Sequence, residues 1–146
     1  MHINIRQPQL AEYPLLVELW EASVRATHHF LTEKDIEFYR PLVATCLPML
    51  KVHCVDANER IKGFIATGEQ MIQALFIHPD ARGKGVGKKL IDFAITDLNI
   101  VKVDVNEQNE QAVGFYEYLG FKIIGRSKLD GAGKPYPILN MELNPS

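Results

Sequence analysis

The stretch from Met71 to Leu98, "MIQALFIHPDARGKGVGKKLIDFAITDL", constrains the fold more than any other part of the chain. Its apolar beginning reads as a strand through Ile77, and His78-Pro79 ends it. Glycines then fall at alternate positions, Gly83, Gly85 and Gly87, among the basic residues Arg82, Lys84, Lys88 and Lys89. Val86, Leu90, Ile91, Ala94, Ile95 and Leu98 follow at helical spacing. A strand, a glycine-rich turn and a helix in this order bring the free N–H groups of the helix start to the turn. The helix dipole favours an anion at the same place. Glycines let the backbone approach that anion with no Cβ in the way. The stretch reads as a phosphate-binding loop, with a glycine-rich turn before a basic, solvated helix as the plainer alternative.

Spacing excludes two familiar owners. A Walker loop ending at Gly87-Lys88 needs a glycine where Arg82 stands. It also needs a hydroxyl where Lys89 stands, so it has no side-chain ligand for a magnesium ion. A dinucleotide fingerprint counted from Gly83 reaches Lys88 in place of its third glycine, and counted from Gly85 it reaches Leu90.

The remaining segments fit around this unit. "HINIR" alternates and reads as a first strand. Leu15, Leu16, Leu19, Trp20 and Val24 repeat at helical spacing, with Pro14 in the first turn. A second helical region opens at Thr32 and is expected to be interrupted near Pro41. "KVHCVDA" and "KGFIAT" flank a turn at "NER" and read as a hairpin, followed by the strand "EQMIQALFI". "IVKVDV" alternates as a strand. Asn109 to Leu119 reads as a helix stopped by Gly120. "FKIIGR" and "PILNMEL" close the chain, joined by "SKLDGAGKPY". The order β α α β β β α β α β β is an α/β layout around one mixed sheet.

Size and charge bound the function. At 146 residues the chain is expected to form one domain, residues 1–146. Its net charge of −2 gives no general attraction to nucleic acid or an anionic membrane, so the basic cluster near Gly85 needs a local reason. No apolar run approaches the roughly 18 residues of a membrane span. The N-terminus carries no signal-peptide core. Cys46 and Cys54 make neither a disulfide framework nor a Cys-x-x-Cys site, and are expected to be buried free thiols in a reducing cytoplasm.

Arg82-x-x-Gly85-x-Gly87 resembles the acyl-CoA signature of the GCN5-related N-acetyltransferases (GNAT family). "NEQAVGFYEYLGF", residues 109 to 121, resembles the family's second segment at Asn109, Ala112, Phe115, Tyr116, Gly120 and Phe121. The "LFIHP" strand end looks like the family too. The resemblance is specific over about residues 71 to 125 and covers the element order of nearly the whole chain. It implies a single-domain acyl-CoA N-acyltransferase fold, with a central mixed, mostly antiparallel sheet flanked by helices. It also implies transfer of an acetyl group from acetyl-CoA directly to a primary amine, of a protein or a small molecule, in a ternary complex. No metal is implied, and the protein would be a monomer or homodimer. A catalytically silent CoA-binding sensor and a nucleotide-binding module are the alternatives.

The resemblance also assigns residues. Arg82, Gly83, Lys84, Gly85, Val86, Gly87 and Lys88 would hold the pyrophosphate. Leu75, Phe76 and Ile77 would run beside the pantetheine arm, with a backbone N–H near Ile77 facing the thioester oxygen. Asn109 and Tyr116 are seven residues apart, about two turns and roughly 10 Å along one helix face. Asn109 would touch the cofactor arm, and is also a good N-cap. Tyr116 would contact the sulfur end as general acid, its reference pKa of about 10 being close to that of a thiol. Asp104 is the candidate general base, although strand alternation also allows it to face solvent; Glu69, His28, His29 and His78 are alternatives. His28, His29 and Phe30 of "ATHHFL", with Tyr136 of the last loop, are expected to border the acceptor.

Overall fold

The computed structural model describes residues 4–144. The first two residues of the predicted strand "HINIR" fall outside that range, and β1 is Asn4–Arg6. The chain continues through α1 (Tyr13–Thr27), α2 (Glu33–Cys46), β2 (Lys51–Ala57), β3 (Arg60–Gly68), β4 (Met71–Ile77) and α3 (Val86–Asp97). It ends with β5 (Lys102–Asn106), α4 (Glu110–Tyr118), β6 (Phe121–Ser127) and β7 (Ile138–Leu143). The seven strands form one sheet in the order β1-β2-β3-β4-β5-β7-β6. Every neighbouring pair is antiparallel except β4 and β5.

Local chemistry explains the turns and caps. Asn58 and Glu59 both have positive φ, as do Glu69 and Gln70. That is the backbone of the two-residue hairpin turns that match the twist of the flanking strands. The Thr32 side chain accepts from the Asp35 N–H, while the Asp35 carboxylate accepts from the Thr32 N–H, so α2 starts on a reciprocal cap.

The predicted interruption near Pro41 does not occur, because α2 runs through it to Cys46. Proline's fixed φ suits a helix, and its missing donor leaves only the Glu37 carbonyl unpaired. Pro41 and Glu37 are both exposed, so water can satisfy that carbonyl. One thiol also departs from expectation: Cys54 is buried as expected, but Cys46 at the end of α2 is exposed.

Alternation along the strands builds two cores, one on each face of the sheet. Val55, Ile65, Ile72, Val103, Val105 and Met141 pack under α3 and α4 with Leu90, Ile91 and Phe121. Val52, Cys54, Phe64 and Ala66 point the other way, against Leu16, Leu19, Trp20 and Val24 of α1 and Ile36 of α2.

The functional consequence lies between β4 and β5. Their parallel pairing consists of a single register pair, Ile72 with Val103. Beyond it the strands separate toward their C-terminal ends, opening the sheet where α3 and α4 begin.

Candidate active site

Two cavities occupy this opening. The first, about 340 Å³, is walled by Leu75, Phe76 and Ile77 of β4, by Arg82, Gly83 and Gly85–Lys88, and by the start of α4. The second, about 630 Å³, is walled by residues of α2, β4, β5 and α4 and by the β6–β7 loop. His28, Leu75, Phe76, Asn109 and Ala112 belong to both walls, so the cavities meet at these residues.

The first cavity has features that suit an anion. Gly85 has φ +80 and forms the N-cap of α3, a left-handed conformation that glycine adopts without strain. The first bond of the helix runs from the Lys89 N–H to the Gly85 carbonyl at 3.0 Å. The N–H groups of Val86, Gly87 and Lys88 precede it and have no intrahelical acceptor. A Cβ added to Gly83 or Gly85 would meet no heavy atom within 4 Å, so the loop presents bare backbone to open space. Arg82 donates to Gln111 Oε1 at 2.5 Å, which fastens the loop to α4. Lys88 also lines the cavity and pairs with Asp92 at 2.9 Å, whereas Lys84 is exposed and stands outside the wall.

The β4 edge adds a strand-like surface. The His78 N–H donates to the Lys62 carbonyl of the β3 side at 2.7 Å. Since N–H direction alternates along a strand, the Ile77 N–H points the opposite way, into the gap toward β5. The open edge of β4 can therefore pair with an extended amide-containing chain. Free helix-start N–H groups beside an open strand edge complement coenzyme A, a pyrophosphate followed by an arm with two amides.

The second cavity has different chemistry. Asp104 is half-buried and lines it, so it faces a cavity rather than bulk water. Its Oδ1 accepts from Asn140 Nδ2 at 2.7 Å. Tyr116 is 4% exposed and packs edge-on against Phe115 and Phe121. Burial alone pushes its phenol above the ordinary tyrosine value, which keeps the proton on the oxygen. Asn109 caps α4 through the Ala112 N–H at 3.2 Å, which fixes its amide at the boundary of the two cavities.

The β6–β7 loop is strapped over this cavity. Tyr39 of α2 donates to Asp130, and Tyr136 donates to Asp35. Lys134 lies 3.2 Å from Asp35 and 4.6 Å from the centre of the Phe38 ring. Asp130 also accepts from the Ala132 and Lys134 N–H groups, so it serves the loop. Phe30 packs between His28 and Tyr136, with ring centres 5.3 and 5.5 Å away.

Of the alternative bases, Glu69 sits in the β3–β4 turn, away from both cavities. His78 accepts from the Asp80 N–H at 3.2 Å, and His29 is exposed and lines neither cavity. Sequence reasoning passed over Thr27, Gln111, Asn140 and the Tyr39–Asp130 pair. Their roles depend on partners 29 to 91 residues away or, for Thr27, on the tautomer of a neighbour. Among the described residues no group of three or more His, Cys, Asp or Glu could hold a metal ion. No helix of the described chain is long and apolar enough to cross a membrane.

A split sheet with free N–H groups at the start of α3 suits an acyl-CoA-dependent transferase, and residues 37–143 match the acetyltransferase (GNAT) domain. The chain belongs to the GCN5-related N-acetyltransferase family and is an N-acetyltransferase that uses acetyl-CoA. It is 46% identical over 143 residues to the peptidyl-lysine N-acetyltransferase YjaB of Salmonella typhimurium, covering 97% of this chain and 98% of that one. The fold superimposes on the solution structure of apo YjaB from Escherichia coli with a TM-score of 0.91, at 41% identity and full coverage of both chains. The PaiA N-acetyltransferase of Thermoplasma acidophilum, solved in complex with coenzyme A, shares the fold at a TM-score of 0.72 and 21% identity, over 97% of this chain and 99% of that one.

Proposed function

We propose that this enzyme acetylates lysine side chains of peptides or proteins by direct transfer in a ternary complex. The observation that carries this reading is the division of charge between the two connected cavities. Arg82, Lys88 and the α3 N-terminus serve one cavity. The other is lined by Asp104 and Asp130 and, among the described residues, by no lysine or arginine. Asp130 is engaged by its own loop and by Tyr39, so Asp104, with Oδ2 free, is the carboxylate left for a cationic group. Leu42, Val43, Phe76 and Ile138 offer apolar wall to a four-carbon stem. The relatives named as peptidyl-lysine N-acetyltransferases agree with this acceptor.

Acetyl-CoA supplies a thioester carbonyl and a thiolate leaving group. Arg82, Gly83 and Gly85 to Lys88 hold the anionic end, and Leu75 to Ile77 align the arm. The Ile77 N–H donates to the carbonyl oxygen as charge develops there. Asp104, through a water, takes the proton that the amine loses as the C–N bond forms. Tyr116 gives its phenolic proton to the sulfur as the C–S bond breaks, and no acyl-enzyme forms. A reaction that consumes acetyl-CoA and a chain with a free, buried Cys54 thiol suit the cytoplasm.

The test is a panel of lysine peptides, free lysine, N-terminal peptide amines and polyamines, read by thiol release and by mass spectrometry of the products. Acetylation at the lysine Nζ of peptides, well above the other amines, is expected. A preference for any other class of amine would overturn the acceptor assignment.

A further inference from the structure

His28 stands where the two cavities meet, and its hydrogen bonds specify which ring nitrogen carries the proton. The Thr27 hydroxyl has one proton, and it is donated to the Ser23 carbonyl at 2.9 Å. Thr27 Oγ1 nevertheless lies 2.7 Å from His28 Nδ1. With its own proton committed, Oγ1 can only accept there, so Nδ1 bears the hydrogen. Nε2 is left with a lone pair. A second contact reaches the same assignment independently. Asn109 Oδ1 accepts from the Ala112 N–H, which turns Asn109 Nδ2 toward His28 Nε2, 3.5 Å away. The amide hydrogens face that nitrogen, which agrees with its being an acceptor. At that length the contact is weak, so the lone pair remains available to a better donor.

The ring is also held in place. Phe30 and Phe76 lie on it with ring centres 5.3 and 6.3 Å away. The backbone is fixed at the end of α1, where the His28 N–H donates to the Val24 carbonyl at 2.7 Å and the Leu31 N–H donates to the His28 carbonyl at 3.0 Å. The Nε2 edge faces Asn109, which lines both cavities.

We propose that His28 Nε2 accepts a hydrogen bond from the acceptor amine and so aims the nitrogen lone pair at the thioester carbonyl, with Thr27 as the residue that sets its tautomer. This rests on the amine-acetylating function proposed above and names a residue that orients the substrate of that reaction. Nε2 is the hydrogen-bond acceptor, while the proton itself leaves toward Asp104. An imidazolium at this position would repel an ammonium and present a donor in place of an acceptor, and burial disfavours that form. Burial foremost, then His29 and Arg82, holds the His28 pKa down at about 4. Asp104 on β5 and Asp130 of the β6–β7 loop are the carboxylates lining the same cavity, and Asp130 is bonded to Tyr39 and its own loop.

The experiment combines kinetics with a direct view of the ring. In the wild-type protein with 15N-labelled histidine, His28 should show a pyrrole-like Nδ1 and a pyridine-like Nε2, unchanged between about pH 6 and pH 8. His28→Leu should lower kcat/KM for a lysine peptide about tenfold, the worth of one well-placed hydrogen bond, while CoA affinity measured by calorimetry stays the same. His28→Gln should recover part of the loss, and Thr27→Val, which removes the Nδ1 partner, should fall between it and the wild type. A proton on Nε2, a full kcat/KM in His28→Leu, or a loss confined to CoA binding would each overturn the proposal. The ring spectrum and Thr27→Val decide it even if His28→Leu folds poorly. A wild type that leaves peptide lysines unmodified would instead overturn the acceptor reading, while the spectrum would still decide the tautomer.

Discussion

Asn140 of β7 and Asp104 of β5 face each other across one register pair, and Asn140 Nδ2 donates to Asp104 Oδ1 at 2.7 Å. The bond fixes the carboxylate and leaves Oδ2 for the cavity. Gly125 of β6 lies opposite Asn140 on the other side, where an added Cβ would come within 2.9 Å of Asn140 Oδ1. The three strands form a stack in which the outermost residue must be small for the innermost to stay in place.

If Asp104 is the general base, as proposed, Asp104→Asn should lower kcat by about 100-fold or more, with CoA affinity unchanged. Gly125→Ala is the subtler test. The close atom is the end of a side chain that can rotate, so melting temperature should change little. The displaced Asn140 amide would release Asp104, and kcat should fall several-fold. Steady-state kinetics beside a thermal melt separates the two effects. Full activity in Gly125→Ala would show that Asn140 does not hold the proposed base.

Tyr116→Phe should reduce kcat by at least about tenfold while leaving CoA affinity and the fold intact. Its phenol responds to burial alone, and no hydrogen bond to a described residue contributes. Removing the hydroxyl thus deprives no buried partner, and stability should be unchanged or slightly higher. Unchanged turnover at saturating substrates would exclude Tyr116 as a required proton donor.

The geometry of the proposed donor half was legible because it resides in backbone and local order. Gly85 at the N-cap, the start of α3 and the cap at Asn109 all follow from residues close in sequence. The acceptor half was less legible because its partners are remote. Alternation placed Asp104 opposite Val103 and Val105, but whether that face meets water or a cavity depends on α2 and the β6–β7 loop. Likewise "THH" gave no sign that the threonine specifies the tautomer of the first histidine. Helix continuation through Pro41 depended on exposure, which local sequence does not report.

Gly85 and Gly87 look alike in the sequence but should differ under substitution. Gly85→Ala forces a side chain into φ +80 with no steric neighbour, costing about 1–2 kcal/mol of backbone strain. It also places a methyl group where the anion should approach, so CoA affinity should fall. Gly87 lies within the helix, and its added Cβ would meet Phe115 Cζ at 3.6 Å and Ile77 Cγ1 at 3.8 Å, ordinary contact distances. Gly87→Ala should keep stability and most CoA affinity. Calorimetric titration with CoA, paired with denaturant melts, checks both, and equal effects at the two positions would refute the distinction.

His28 should also leave a signature in the pH dependence of stability. Its pKa is about 4 in the folded chain against an ordinary 6.5. Above that ordinary value both states are neutral and the residue contributes no slope. Between the two values the unfolded chain binds a proton that the native state refuses, so stability falls as pH falls, by about 3 kcal/mol over the full window. Glu12 and Asp35, both held down to about 2 by their partners, lose their contributions only at lower pH, as it falls through the carboxylate range. His53 is shifted in the same direction as His28, chiefly by burial, so the quantity to measure is the difference between wild type and His28→Gln. Urea denaturation from about pH 7 to pH 5 should show the wild type losing stability relative to the variant as pH drops. Parallel curves would mean that the folded protein accepts a proton on His28 as readily as the unfolded chain, and that the imidazole is not held neutral where the cavities meet.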